Sequence, residues 1–464
     1  MPEYSTVQCT ETSIQTSKPN KYNTMITNKA QVIRVIKSHP GEFAEVKNPS
    51  YVHPSVEFYP LADRIKRLQS LKAVFMDMDG TTTTTEVLCI HSLESMLRKM
   101  SGKHSREAWP GLDHRDDLAH IIGNSTTKHV EYLLIKYGHM LDHAQLVRSF
   151  FAAAQHTLCH GVDAQRKREV IENLHKLKLG SAIADIEQGA DTDRLLNTCG
   201  SLAGPNDFAT RVGMGIDIYY DCYHRILSQL KEGKTDTVQR QVFGDSAPGQ
   251  DLISPMPGIA VLIPLVKGWL GSDAGLLADR LCDDYTKSTG KGMQGRDRDA
   301  CAKKISGMGA AFEKQPLKLG LVTSSIRYEA DIVVREVLQV MGRVIEESPL
   351  DRAKKRRILQ AYQDYNRVYD AFVTATDSSE IRLKPHRDLY SIALHKAGIM
   401  PCDFDKVAGF EDSQSGTIAI RAAGIGCCIA VPFAQTSGHN LDAAAHVLTG
   451  GIPQAIIDYN LFAE

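Results

Sequence analysis

Two regimes of hydrophobic patterning divide the chain. Short continuous apolar runs occur at AVFM (73–76), KLGLV (318–322), YDAFVTA (369–375), KVAGF (406–410) and GCCIAV (426–431), and each has the length of a strand buried on both faces. Between the later runs lie EADIVVREVLQVM, LYSIALHKAG and SGTIAIRAAG, with apolar residues at three- and four-residue spacing. Apolar strands alternating with amphipathic helices predict an α/β fold, a Rossmann-like, doubly wound parallel sheet.

The second regime separates the first run from the others. From Glu86 to about Leu252 the stretches SLESMLRKM, LAHIIG, TKHVEYLLIKYG, AQLVRSFFAAAQ, REVIENLHKLK and ATRVGMGIDIYYDCYHRILSQL all have helical spacing, and no strand pattern interrupts them. The expectation is a large all-helical domain, residues 86–252, inserted after the first strand of a core made from 61–85 and 253–464. LADRIKRLQSL, from Leu61, reads as a short amphipathic helix leading into that strand. Residues 1–60 read as an N-terminal extension, partly disordered at its polar start. The Gly- and charge-rich stretch at 271–316 reads as a surface-loop insertion in the core. Its GKG lacks the earlier glycine and the following Ser/Thr of a phosphate loop, because Tyr285 and Gly292 stand there.

Composition narrows the function classes. Over 464 residues, 54 Lys+Arg offset 55 Asp+Glu, which argues against nucleic acid or an anionic membrane as partner. The ten cysteines contain no CxxC pair and read as reduced thiols. The N-terminus has no apolar signal region, and the longest apolar run, GIAVLIPLV, is shorter than the ~20 residues of a membrane span. A cytoplasmic protein is expected.

The candidate chemistry sits at the ends of the apolar runs. AVFMDMDGTTT puts Asp77 and Asp79 at a strand tip, two residues apart and so on one side. Open α/β sheets bind ligands at that end. Neighbouring carboxylates repel unless one is protonated or a cation lies between them, and Mg²⁺ suits such oxygen donors. Gly80 lets the chain turn so that backbone amides can face an anion. Thr323, Ser324 and Ser325 follow the second run and offer hydroxyls to a phosphate. Lys384 precedes a helix, where its ammonium can neutralise phosphate and nucleophile. Glu411 and Asp412 follow the fourth run and supply the other half of a cation site. HTLCH puts His156, Cys159 and His160 on one helical face, which reads as the polar end of a packed helix rather than a zinc site.

This order of motifs resembles the haloacid dehalogenase superfamily, and FEDSQSGTIAIRAAG and LKPHRDLYSIALHKAG read like the branch holding β-phosphoglucomutase and many small-molecule phosphatases. The resemblance implies that Asp77 is the nucleophile and Asp79 the general acid and base. It implies that Thr323, Ser324 and Lys384 bind phosphate. Mg²⁺ would be held by Asp77, Asp79 (through its backbone carbonyl), Asp412 and Glu411. IIGNSTTKHVEYLL resembles the cap loop over the site, which makes Ser125, Thr126 and Lys128 specificity candidates. Mutases of this kind carry an arginine just after that serine, where Thr126 stands, so hydrolysis is expected over phosphoryl return. The expected function is removal of phosphate from a small phosphorylated metabolite. The alternatives are a sugar-phosphate mutase and a non-catalytic binding protein on the same fold.

Overall fold

In the computed structural model the described residues are 28–39, 41–47, 53–113, 116–121, 126–199, 207–244, 251–377, 382–433, 436 and 438–463. The chain forms two units, Met1–Glu42 and Phe43–Glu464. In the first, a helix spans Lys29–Ser38, and Asn28 and Gln31 close its start in a reciprocal capping box.

The second unit contains all the strands among the described residues. An antiparallel pair, β1 (Phe43–Lys47) and β2 (Val56–Pro60), precedes the central strand β3 (Ala73–Asp77). The short strands β4 (Thr83–Thr84) and β5 (Ser254–Pro255) pair antiparallel. Then follow β6 (Lys318–Val322), β7 (Ala371–Val373), β8 (Val407–Glu411), β9 (Cys427–Ala430) and β10 (His446–Val447). The main sheet is six-stranded and parallel, in the order β10-β9-β8-β3-β6-β7. The strand order reverses at β3, which makes its carboxyl end the switch point of the sheet.

Alternation along β3 explains why the sheet is covered twice. Val74 and Met76 join the apolar cluster on one face with helices Ile259–Val266 and Arg327–Glu347, while Ala73 and Phe75 join the other with helices Asp388–Lys396 and Gln414–Ala422. Every residue of β3 is buried. Gly320 on β6 has no side chain because a Cβ there would lie 2.2 Å from the Phe75 ring.

The β4–β5 pair forms the stem through which the chain leaves the sheet and returns. Among the described residues between these strands the regular structure is helical. Its longest helix, Phe208–Lys231, packs against Glu86–Ser101, Thr126–Tyr137 and His143–His160. His156 Nδ1 lies 2.8 Å from a carboxylate oxygen of Asp221 on that helix, and the Cys159 thiol donates to the carbonyls of Ile186 and Glu187 at 3.4 Å. These contacts are those of a packed helix end.

The structure overturns two expectations. Residues 61–71 are not a helix; they run as an irregular strap whose amides donate to carbonyls far along the chain, Ala62 to Arg421 O, Ile65 to Gly426 O and Leu68 to Phe462 O. Those bonds satisfy the backbone in place of a helical ladder. Nor is 271–316 a surface loop. It folds as the helical stretch Gly271–Leu277, then Ala278–Thr289 and Arg296–Lys314, with Leu281, Cys282 and Ile305 buried. Gly271, Gly275 and Gly309 serve close packing: a Cβ on Gly309 would lie 2.1 Å from the carbonyl oxygen of Gly271.

No helix among the described residues is long and apolar enough to cross a membrane.

Candidate active site

Strand register assembles the site. Asp77 is level with Val322 of β6, so Thr323 stands one residue beyond it. Met76 is level with Phe410 of β8, so Glu411 lies beside Asp77. Side chains distant in sequence therefore meet at one end of three adjacent strands.

Asp77, Glu411 and Asp412 are buried and offer carboxylate oxygens within 4.8 Å of one another. The carboxyl group of Asp79 does not join them, so the pairing expected of Asp77 with Asp79 is instead made between β3 and β8. The Lys384 ammonium, on a side chain only 6 % exposed, bridges Asp77 and Glu411, the latter at 2.7 Å. The other oxygen of Glu411 accepts from the amides of Asp412 (2.8 Å) and Ser413 (3.0 Å) and from the Ser413 hydroxyl (3.1 Å). Glu411 is therefore held on both oxygens. Asp412 receives the Thr81 hydroxyl at 3.2 Å.

Burial raises the Asp77 carboxyl well above the usual carboxylate range, Glu411 pushes it further, and Lys384 pulls it part of the way back. Asp412 is raised by burial, then by Glu411 and Asp77. Burial opposes the charge on Lys384, but Asp77 and Glu411 outweigh it and hold the ammonium well above the ordinary lysine range. One cation thus compensates three buried carboxylates incompletely, and that deficit suits a divalent cation.

Asp79 lies past the strand tip in a separate nest of hydroxyls. Its Oδ1 accepts from Thr85 at 2.8 Å and its Oδ2 from Thr323 and Ser325 at 3.3 Å. Burial raises this carboxyl despite those bonds, which favours its protonated form. Directly after Asp79 the chain reverses at Gly80, with φ +84°. A Cβ there would meet Phe433 at 2.7 Å and Asp412 at 2.8 Å.

A cavity of about 1220 Å³ opens from this end of the sheet into the helical segment. Asp77, Asp79, Thr323, Ser324, Lys384, Glu411 and Asp412 all line it. Thr126 lines it too, 3.2 Å from the Tyr220 hydroxyl. Lys128 is exposed and does not line the cavity, and Ser125 lies outside the described residues.

Sequence reasoning missed Thr85, Glu86, Arg166, Tyr220 and Glu329, which also line the cavity. Thr85 and Glu86 end the polar run TTTTTE that begins in the DGT string, and that run was a usable signal. The other three sit within amphipathic helices and carry no one-dimensional mark.

No protein-family model and no curated protein sequence matches this chain. Solved structures do align with it. CbbY from Rhodobacter sphaeroides, in complex with phosphate, is 13 % identical, with 83 % of this chain and 96 % of that chain covered, at a TM-score of 0.36. β-Phosphoglucomutase from Clostridium difficile is 12 % identical over 84 % and 96 % of the two chains, at 0.34. A HAD family hydrolase from Deinococcus radiodurans, with bound phosphate and sodium, is 14 % identical over 85 % and 98 %, at 0.35.

Proposed function

We propose that this protein is a phosphohydrolase of the haloacid dehalogenase type. In this reading it removes phosphate from a small phosphorylated metabolite through an aspartyl-phosphate on Asp77, with Mg²⁺ bound. The observation that carries the proposal is the buried set Asp77, Glu411 and Asp412 bridged by Lys384 at the carboxyl end of the central strand. A scaffold without chemistry gains nothing from three desolvated carboxylates, each of which costs stability.

The donor set fits a hard divalent cation, being made of carboxylate oxygens left short of positive charge. Asp77, Asp412 and the backbone carbonyl of Asp79 are the proposed holders, and Glu411, engaged on both oxygens, orients Lys384 and the turn that carries Asp412. When bound, Mg²⁺ neutralises charge on the phosphoryl oxygens. The chain's own residues do the rest. A carboxylate oxygen of Asp77 forms a bond to phosphorus as the ester P–O bond breaks. Asp79 gives its proton to the leaving oxygen, then takes one from the water that attacks the aspartyl-phosphate, so that phosphate leaves and Asp77 is restored. Lys384 and Thr323 position the phosphoryl group and balance its charge. The helical segment, about 86–252, acts as the cap that encloses the leaving group, with Thr126 facing it.

A mutase needs a cation free to grip a second phosphate. Arg166 lines the cavity, but Asp217 and Glu169 already occupy its guanidinium. Lys176 lines it as well, exposed at the end of the same helix, but a lysine lacks the bidentate fork that orients a phosphate, so hydrolysis is favoured.

The test is phosphate release from a panel of phosphate monoesters with Mg²⁺, comparing the protein with Asp77→Asn. Release that the substitution lowers by at least about 10³-fold supports the reading. No release from any ester, or release untouched by Asp77→Asn, overturns it.

A further inference from the structure

Beside Asp79 the cavity wall changes character. The helix Phe208–Lys231 presents Tyr219, Tyr220 and Tyr223 to it, with Tyr219 stacked on Tyr223 at 5.9 Å and set edge-on to Tyr220 at 5.2 Å. Glu86 and Glu329 line the same region.

Among the described residues neither carboxylate is matched by a protein cation of fixed charge. Glu329, 8 % exposed, meets the ring nitrogen of His224 at 2.8 Å through one oxygen, and its other oxygen has no hydrogen-bond partner among the described residues. Glu86 has no side-chain partner among the described residues, and burial pushes its carboxyl up to about 7. Three fixed cations among the described residues line the cavity, and the two whose side chains are buried are engaged, while Lys176 is exposed at the end of the helix Ala164–Lys176. Lys384 serves Asp77 and Glu411, while Arg166 serves Asp217 and Glu169 and lies 4.5 Å over the Tyr220 ring. That last contact shows the wall already accepting a cation on an aromatic face.

A separate observation also points to a ligand. Tyr223 is 9 % exposed and lines the cavity, yet its hydroxyl has no hydrogen-bond partner among the described residues. The ring is buried while the hydroxyl opens onto the cavity, where a polar group of a ligand can reach it.

We infer that the leaving group carries an ammonium: the substrate is a phosphate monoester of an amino alcohol, its cationic end held by Glu86 and Glu329 against the faces of Tyr219 and Tyr223. This inference rests on the phosphohydrolase reading and names the substrate class for that same site. The chemistry is consistent along the cavity. Lys384 takes the anionic phosphoryl end, and the carboxylates and phenol rings take the cationic end, with Asp79 between them at the oxygen that must be protonated. A neutral polyol would leave the two carboxylates without a counter-charge, and an anionic tail would be repelled by them.

The experiment compares kcat/KM for 2-aminoethyl phosphate, its trimethylammonium analogue, and neutral propyl phosphate, all with the full chain and Mg²⁺. The ammonium esters are expected to exceed propyl phosphate by at least about tenfold, which is about 1.4 kcal/mol. In the double variant Glu86→Gln/Glu329→Gln that ratio is expected to fall to about one. The ratio is taken within one preparation, so a partly unfolded sample changes both rates together. Propyl phosphate turned over as well as the ammonium esters overturns the inference and leaves the phosphohydrolase reading standing. So does a ratio that survives the double substitution. If no ester is hydrolysed, the phosphohydrolase reading fails, and calorimetry with 2-aminoethyl phosphate against propyl phosphate decides the inference. Tighter ammonium binding supports it, and equal binding ends it.

Discussion

A Cβ added to Gly416 would lie 1.7 Å from Oε1 of Glu411, the oxygen that receives Lys384. Backbone and carboxylate cannot both stay, so Gly416→Ala is expected to displace Glu411 and release Lys384 from one of its two anchors. The expected cost is about 1–3 kcal/mol of stability and a loss of phosphate release on the order of 10²-fold, read by urea melts and a phosphate assay. Full activity in Gly416→Ala would show that Glu411 need not hold its present place. Glu86 makes the opposite kind of prediction. Burial raises its carboxyl from an ordinary value near 4.5 to about 7, so the folded state holds a proton there that the unfolded chain has lost. Stability therefore falls as pH rises from about 4.5 to about 7 and is flat above that window. Glu86→Gln removes the slope. Its advantage over the parent should be absent at pH 4, grow through that window and level off at about 1–3 kcal/mol by pH 8. Denaturant titrations across that range would test this, and an advantage independent of pH would refute it.

At the scale of elements, the helix Gln414–Ala422 holds the second half of the site through its start. Ser413 accepts from the Gly416 amide at 3.1 Å and donates to Glu411 at 3.1 Å, so one side chain both caps the helix and fixes the carboxylate. Ser413→Ala should cost about 1 kcal/mol, as loss of a cap does, and should also raise the KM for Mg²⁺. Loss of stability without a change in metal dependence would separate the two roles. The same scale shows what could be read from the sequence. β3, β6, β8 and β9 are each a continuous apolar run because both faces of the sheet are covered, and that pattern needs no knowledge of neighbours. The residues following those runs identified Asp77, Thr323, Glu411 and Asp412, because strand ends are marked by the change from apolar to polar. The strap 61–71 could not be read. Its helical spacing is real, but its amides are taken by carbonyls more than 350 residues away in sequence, such as the pairing of Ala62 with Arg421 at the end of the helix Gln414–Ala422. The helices at 278–314 were hidden for a different reason. Glycine signals a loop, yet Gly275 and Gly309 allow two helical stretches to touch, with a Cβ on Gly275 only 2.4 Å from the Ser306 hydroxyl.

At the scale of the molecule, the proposed metal holders belong to different parts of the sheet, Asp77 at the tip of β3 and Asp412 just beyond β8. A cation bound between them ties those parts together and binds the folded chain alone, since the unfolded chain keeps these carboxylates far apart. Binding of that kind stabilises by RT ln(1 + [L]/Kd), about 2.7 kcal/mol at a hundredfold excess over Kd. For a chain of 464 residues this corresponds to a rise in Tm of roughly 3 °C. The sign of the pH effect follows from the raised carboxyls of Asp77 and Asp412. Protons compete with the metal for them, so the Mg²⁺-induced rise should shrink as the pH is lowered. Asp412→Asn should abolish the rise at every pH, while itself stabilising the metal-free protein, because it removes one of three mutually repelling buried carboxylates. Scanning calorimetry with and without Mg²⁺ at two pH values, on the parent and on Asp412→Asn, separates these effects. A metal-induced rise that survives the substitution would place the cation elsewhere. A metal-free Asp412→Asn less stable than the parent would mean that the carboxylate is held for its bond to Thr81 rather than for a metal.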